Sequence, residues 1–276
     1  MRRRRVRPGG VLDAFVLVAL ATVSLYPIVW LVAVSLQRPD AAYQVPTKLV
    51  FVPDFVNYER LLGSPEFRDA LLNSILVAAP ATVLCVIVGS MAGFALSRHA
   101  FRRRAAVTGT LLVARLVPAF AIVIPTFLIY NQLNLLDTLA GLIFAMAAFH
   151  LPIAVLIMYR VIDTIPRSLD EAAVVDGAGP LQVLRLVLIP IAAPGLAASG
   201  VLTFTLIWNE FLFILILAGN RILTLPVVIA TFETQRQILW GPIAAASILA
   251  VLPVVVVVLF AQRQLLAGLG LGAVRE

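Results

Sequence analysis

Six stretches of this chain are each long and apolar enough to cross a bilayer, and that feature limits the fold more than any other. A helix needs about 20 apolar residues to span roughly 30 Å of hydrocarbon. Residues 14–36, 71–96, 105–130, 138–159, 195–217 and 242–260 meet that requirement. The predicted fold is therefore an all-α membrane protein with six transmembrane helices. A water-soluble globule is excluded: soluble domains are about 45–50% apolar and about 25% charged, whereas this chain of 276 residues is 62% hydrophobic and 13% charged. Pro27, Pro80, Pro118, Pro125, Pro152 and Pro253 fall inside the runs. Packed membrane helices tolerate proline and gain kinks from it, which suits a protein that changes shape.

The charges give the orientation. With the N-terminus inside, 14 of the 21 Lys and Arg residues fall in inner segments and 6 in outer ones, while Arg115 lies within a span. Cytoplasmic loops carry the excess of positive charge, so both termini are expected to be cytoplasmic. The net charge of +7 thus reads as span-flanking arginine, not a nucleic-acid footprint. Residues 1–13 form a basic cytoplasmic N-terminus, 14–264 the membrane domain, and 265–276 a cytoplasmic tail. The first run is longer than the 7–15 apolar residues of a signal peptide core and reads as a retained span. Segments 37–70 and 218–241 are the larger outer loops, and 131–137 a short outer turn. The lone cysteine, Cys85, has no pairing partner and no metal-ligand spacing, and His99 and His150 are isolated. No phosphate-cradling glycine–lysine loop, zinc-binding H-E-x-x-H or G-x-S-x-G elbow is present, so no catalytic residue and no metal ligand is assigned.

The segment between the fourth and fifth spans, residues 163–190, is too polar in its first half to face lipid. Ser168 is expected to cap a short helix with Glu171 three residues on. Leu169, Ala172, Ala173 and Val174 make an apolar side, and Gly177 terminates the helix. A second short helix is expected from Pro180 to Leu188. The result is a helix-turn-helix elbow along the inner membrane surface. It fits either a groove on another protein or the ends of the chain's own spans.

Glu171-Ala172-Ala173, three residues, Gly177, nine residues, then Val187-Leu188-Ile189-Pro190 resembles the EAA loop of ABC-importer permeases. Val187 and Ile189 are conservative departures from that pattern. Asp176-Gly177-Ala178, Asn73-Ser74, Trp208-Asn209 and the ending from Gln262-Arg263 through Gly268 to Arg275 are similar to the carbohydrate branch, especially the smaller permease subunit of maltose-type importers. The resemblance implies a multi-pass subunit of the bacterial plasma membrane. Its partners would be a second homologous permease, two copies of a cytoplasmic ABC ATPase and an extracytoplasmic solute-binding protein, with a di- or oligosaccharide as cargo. Glu171, Ala172, Ala173, Asp176 and Gly177 would form the coupling helix, with Glu171 paired to a basic residue of the ATPase. Gly268, Gly270 and Gly272 would lie in a tail reaching the ATPase dimer interface. ATP and magnesium would bind the ATPases, and no cofactor this chain.

Inside the spans, Arg115 sits about 15 Å deep by helix rise, where a charge costs about 2.5–3.5 kcal/mol. It faces either a translocation path or a buried partner such as Glu210. Trp208, Asn209 and Glu210 form a polar-aromatic cluster that suits sugar contact or helix–helix adhesion. Three other readings compete. An ion-coupled secondary transporter predicts inverted repeats and several intramembrane acids, of which only Glu210 is clearly placed. A membrane enzyme requires a catalytic constellation. An ABC permease for another solute, such as a glycerophosphate derivative, keeps the framework and changes the cargo.

Overall fold

The computed structural model describes residues 9–38, 51–99, 102–233 and 238–272. Residues 1–8, which include Arg2 to Arg5 and Arg7, and residues 39–50, 100–101, 234–237 and 273–276 lie outside it. The helices are α1 (Gly9–Ser35), α2 (Val56–Gly63), α3 (Pro65–Arg98), α4 (Arg104–Leu116), α5 (Ala119–Gln132), α6 (Leu139–Asp163) and α7 (Arg167–Val175). They continue with α8 (Pro180–Ile191), α9 (Ala193–Trp208), α10 (Leu212–Leu217), α11 (Leu225–Ala230) and α12 (Trp240–Gly272). Among the described residues there is no strand, only an isolated bridge between Glu233 and Ile238. Four helices are long and apolar enough to span a membrane, or six when the bent pairs α4–α5 and α8–α9 each count as one.

The chain divides into two units. The first comprises residues 1–65 and 231–250. Its apolar helix α1 is exposed from Asp13 to Val29, which in water would be untenable and in lipid is ordinary. Its polar knot is Asn57, fully buried, donating to the carbonyls of Ser35 (3.0 Å) and Gln37 (2.8 Å). The Asn57 side chain lies against Gly241, where a Cβ would meet it at 2.8 Å.

The second unit comprises residues 66–230 and 251–276. Its centre is the crossing of α3 and α6. Gly89 and Gly93 stand four apart on α3, and added Cβ atoms would sit 3.0 Å from Ala154 and 2.6 Å from the Tyr159 backbone nitrogen. Small residues at this spacing let membrane helices meet backbone to backbone. Met158, Ile162, Val183, Leu184 and Leu188 then bury one face of α8 on the end of α6. Asn73 donates to the Leu223 carbonyl (3.1 Å) and Ser74 accepts from Leu225 N–H (2.8 Å), so this pair pins the start of α11 to α3.

Two runs that read as continuous spans are broken. Stretch 105–130 is α4 and α5, bent by 93°. Pro118 offers no N–H, and Val117 before it is driven to an extended conformation (φ −67°, ψ 127°). Stretch 195–217 unwinds after Trp208 and resumes at Leu212. A further bend of 83° separates α8 from α9 around Ala192, between Pro190 and Pro194. By contrast, α3 runs 34 residues, about 51 Å at 1.5 Å per residue. It is longer than any bilayer core requires and extends into what reads as outer loop.

Candidate functional site

The elbow after α6 forms as two short helices with a tight turn between them. α7 begins at Arg167 with Pro166 as N-cap and no side-chain cap, which corrects the expected Ser168 capping box. The Leu169 N–H already reaches the Pro166 carbonyl (3.3 Å), which places Ser168 inside the first turn. Gly177 ends the helix at φ +87°, where an L side chain is strained. Ala178 N–H closes onto the Ala173 carbonyl (2.9 Å) and Gly177 N–H onto Val174 (3.0 Å). α8 starts at Pro180, and the Gln182 side-chain oxygen accepts from Gly179 N–H (2.8 Å).

The apolar residues of α7 divide between two sides. Ala173 packs on the cluster around Ile162 and Val183. Leu169, Val174 and Val175 are exposed, Val175 at 87%, and so are Glu171, Ala172, Asp176 and Gly177. A nine-residue helix cannot persist alone in water. It holds its place here because charged residues anchor it from the other side.

Sequence reasoning did not identify those anchors. Arg98, the last residue of α3, pairs with Asp170 and donates to the Ile165 carbonyl (3.0 Å). Arg167 donates to the Ser97 carbonyl (3.1 Å), and Ser97 to Asp163 (3.0 Å). Arg104 also pairs with Asp163 and lies 4.5 Å over the Tyr159 ring. The signal in the sequence was indirect: every inner segment carries arginine, so nothing singled these arginines out from orientation charges.

Deeper in the second unit, polar and aromatic residues of α4, α6 and the unwound turn before α10 meet. Arg115 of α4 donates to the Phe149 carbonyl (3.3 Å) and lies 5.2 Å over its ring. Phe149 contacts the rings of His150 and Phe213 at 5.0 and 4.6 Å. His150 Nε2 stands 3.7 Å from Glu210, with both side chains largely buried. Glu210 sits in the unwound turn and accepts from Phe213 N–H (3.3 Å), opening α10. His150 is therefore not isolated, and it is His150, not Arg115, that faces Glu210. Beside the Phe149 ring, Tyr130, Pro152 and Phe213 help line a cavity of about 310 Å³. Trp208 is buried and stacked on Phe204 (5.5 Å), while Asn209 is exposed with its amide bonded to the Thr205 carbonyl (2.7 Å). Gly268, Gly270 and Gly272 lie within α12. Among the described residues, no three His, Cys, Asp or Glu side chains converge as metal ligands would.

Comparison with known proteins decides the family. Residues 85–269 match the model of the binding-protein-dependent transport system inner membrane component. The chain belongs to this family. The matched stretch of the permease takes in the elbow, its arginine anchors and the intramembrane cluster. Over its whole length the permease is 35% identical to the trehalose transport system permease protein SugB of Mycobacterium tuberculosis (strain CDC 1551 / Oshkosh), with both chains covered 100%. It is 31% identical to the trehalose/maltose transport system permease protein MalG of Thermococcus litoralis, over 94% of each chain. Among solved structures, a chain of a bacterial ABC transporter involved in alginate import superposes with a TM-score of 0.77, at 26% identity, over 95% of the permease and 98% of that chain. The family is one of transport subunits rather than catalytic ones.

Proposed function

We propose that this chain is a permease subunit of an ATP-driven, binding-protein-dependent ABC importer that carries a di- or oligosaccharide across the bacterial plasma membrane by alternating access. The observation that carries the reading is α7: a short helix, clamped on one side by Arg98 and Arg167, that offers Glu171, Ala172, Val174 and Val175 outward. Its EAA pattern and positive-φ Gly177 fit a helix that docks in a cleft of a separate ATPase. Six spans with both termini and the elbow on the cytoplasmic side agree with the arginine distribution. A second permease subunit, two ATPase subunits carrying ATP and magnesium, and an extracytoplasmic binding protein complete the machine. The Gly268–Gly272 end of α12 reaches toward the ATPase pair. The relatives that carry trehalose or maltose by name support a sugar as cargo. Arg115, Asn209 and Glu210 lie along the translocation path; the stacking of Trp208 on Phe204 makes it a wall residue there.

ATP can drive the permease only if its binding distinguishes two permease states. The coupling helix supplies that link by placing the same residues against an ATPase in both its open and closed forms. Co-purification from mild detergent tests this, together with trehalose and maltose uptake with the ion gradient collapsed. Glu171→Ala and Gly177→Pro should leave the chain inserted while separating hydrolysis from uptake. Normal uptake by both variants, or no ATPase in the purified complex, would sink the assignment.

A further inference from the structure

We propose that Arg98 and Asp170 form a strut that makes α7 and α3 move as one body, so that force delivered at the coupling helix enters the spans through α3. The proposal rests on the reading of α7 as the ATPase-contacting helix and names the residues that transmit its motion.

Three observations lead there. First, the contact is concentrated. Arg98 keeps only 8% of its side chain exposed and Asp170 15%, and the same guanidinium holds the Ile165 carbonyl in the linker before α7. Arg167 returns the tie to the Ser97 carbonyl one residue earlier on α3. Second, the apolar contact between these two helices is indirect: Phe94 of α3 and Ala173 of α7 both pack on the cluster around Ile162 and Val183. A cavity of about 650 Å³ opens between the two helices, lined by Phe94 from α3, His99 just after it, Val174 and Val175 from α7, and Pro180 from α8. Arg98, Arg167 and Asp170 line the same cavity, so the direct side-chain ties across it are the charged ones. Third, α3 is locked further along to α6 through the backbone approaches at Gly89 and Gly93. A displacement of α7 that pulls on Arg98 is thus carried into both long helices. A pair this buried is costly to break from one side, because the remaining charge is left without compensation.

A link made by charge responds to reversal of the charges in a way that general packing does not. The test uses the assembled transporter with a fluorescent dye on Arg221→Cys, an exposed outer-loop position, in a Cys85→Ser background. The readouts are co-purified ATPase, ATP hydrolysis and the dye's response to ATP with vanadate. Asp170→Asn and Arg98→Gln should retain the ATPase and its hydrolysis while the dye response falls about tenfold, the scale of ordinary allosteric coupling. The double variant Arg98→Asp/Asp170→Arg should recover a substantial part of it, as a directly interacting pair does. Single variants that respond like the parent, or a reversal no better than the worse single, would overturn the strut. Should the reversed pair misfold, Arg98→Cys/Asp170→Cys joined by a bis-maleimide gives an independent answer: the strut predicts that the dye response falls in the double variant before cross-linking and returns after it, and a response that does not return refutes the proposal. A parent complex that contains no ATPase overturns the coupling reading itself, so the two failures are told apart.

Discussion

The crossing of α3 and α6 gives the sharpest stability prediction, because its closest contacts are to backbone that cannot rotate away. An alanine at Gly93 would place its Cβ 2.6 Å from the Tyr159 nitrogen and 2.8 Å from the Met158 carbonyl carbon. Restoring an ordinary separation of about 3.4 Å requires the helices to part by about 0.8 Å along that contact. Overpacking of this kind costs about 1–3 kcal/mol, and rigid backbone neighbours favour the upper end. Against it stands the gain of about 1 kcal/mol from replacing glycine in a helix interior. The net expectation is a loss of about 1–2 kcal/mol. Gly109 in α4 is the matched control, since an added Cβ there meets nothing within 4 Å. Gly109→Ala should be neutral or stabilising. Thermal unfolding of the detergent-solubilised chain, followed by size-exclusion fluorescence, reads both. At about 2–4 °C per kcal/mol for a chain of this size, Gly93→Ala should melt several degrees below the parent and Gly109→Ala at or above it. If Gly93→Ala melts with Gly109→Ala, the helices do not approach through that glycine and the rigid α3–α6 body is wrong.

Other positions test separate parts of the fold. Asn57→Ala should cost about 1–3 kcal/mol, because two buried carbonyls, of Ser35 and Gln37, lose their donor; Asn57→Asp should be no better, as it removes both donors, and the same melting assay would contradict this if Asp restored the parent. Glu210→Gln keeps an oxygen for the Phe213 N–H and should preserve stability, whereas Glu210→Ala should cost about 1 kcal/mol for the lost hydrogen bond; equal melting points would deny that bond's contribution. Cys85 is fully buried and its thiol points at the Ala147 carbonyl (3.3 Å). Maleimide should therefore label it only after denaturation, and rapid labelling of the folded chain would contradict its place between α3 and α6.

What the sequence revealed and what it hid follow from the range of the forces involved. The apolar runs were legible because lipid imposes a length on each crossing, and the Glu171–Gly177 turn because one backbone conformation demands glycine. The break at Val117–Pro118 was half legible: Pro118 removes a donor and constrains its neighbour, but a bend as large as 93° depends on where α4 and α5 find packing partners. The strut was not legible, because an arginine that sets topology and an arginine that holds Asp170 look the same in one dimension. The same holds for His150, which appeared isolated until the fold brought Glu210 from 60 positions away to 3.7 Å. These cases share a physical cause. Proline and glycine act on the chain beside them, whereas a buried charge acts on whatever the fold delivers to it. The buried charged contacts of this permease are of the second kind. Arg98 with Asp170 ties the end of α3 to α7, and His150 with Glu210 ties the middle of α6 to the unwound turn before α10, so each pair joins segments far apart in the chain.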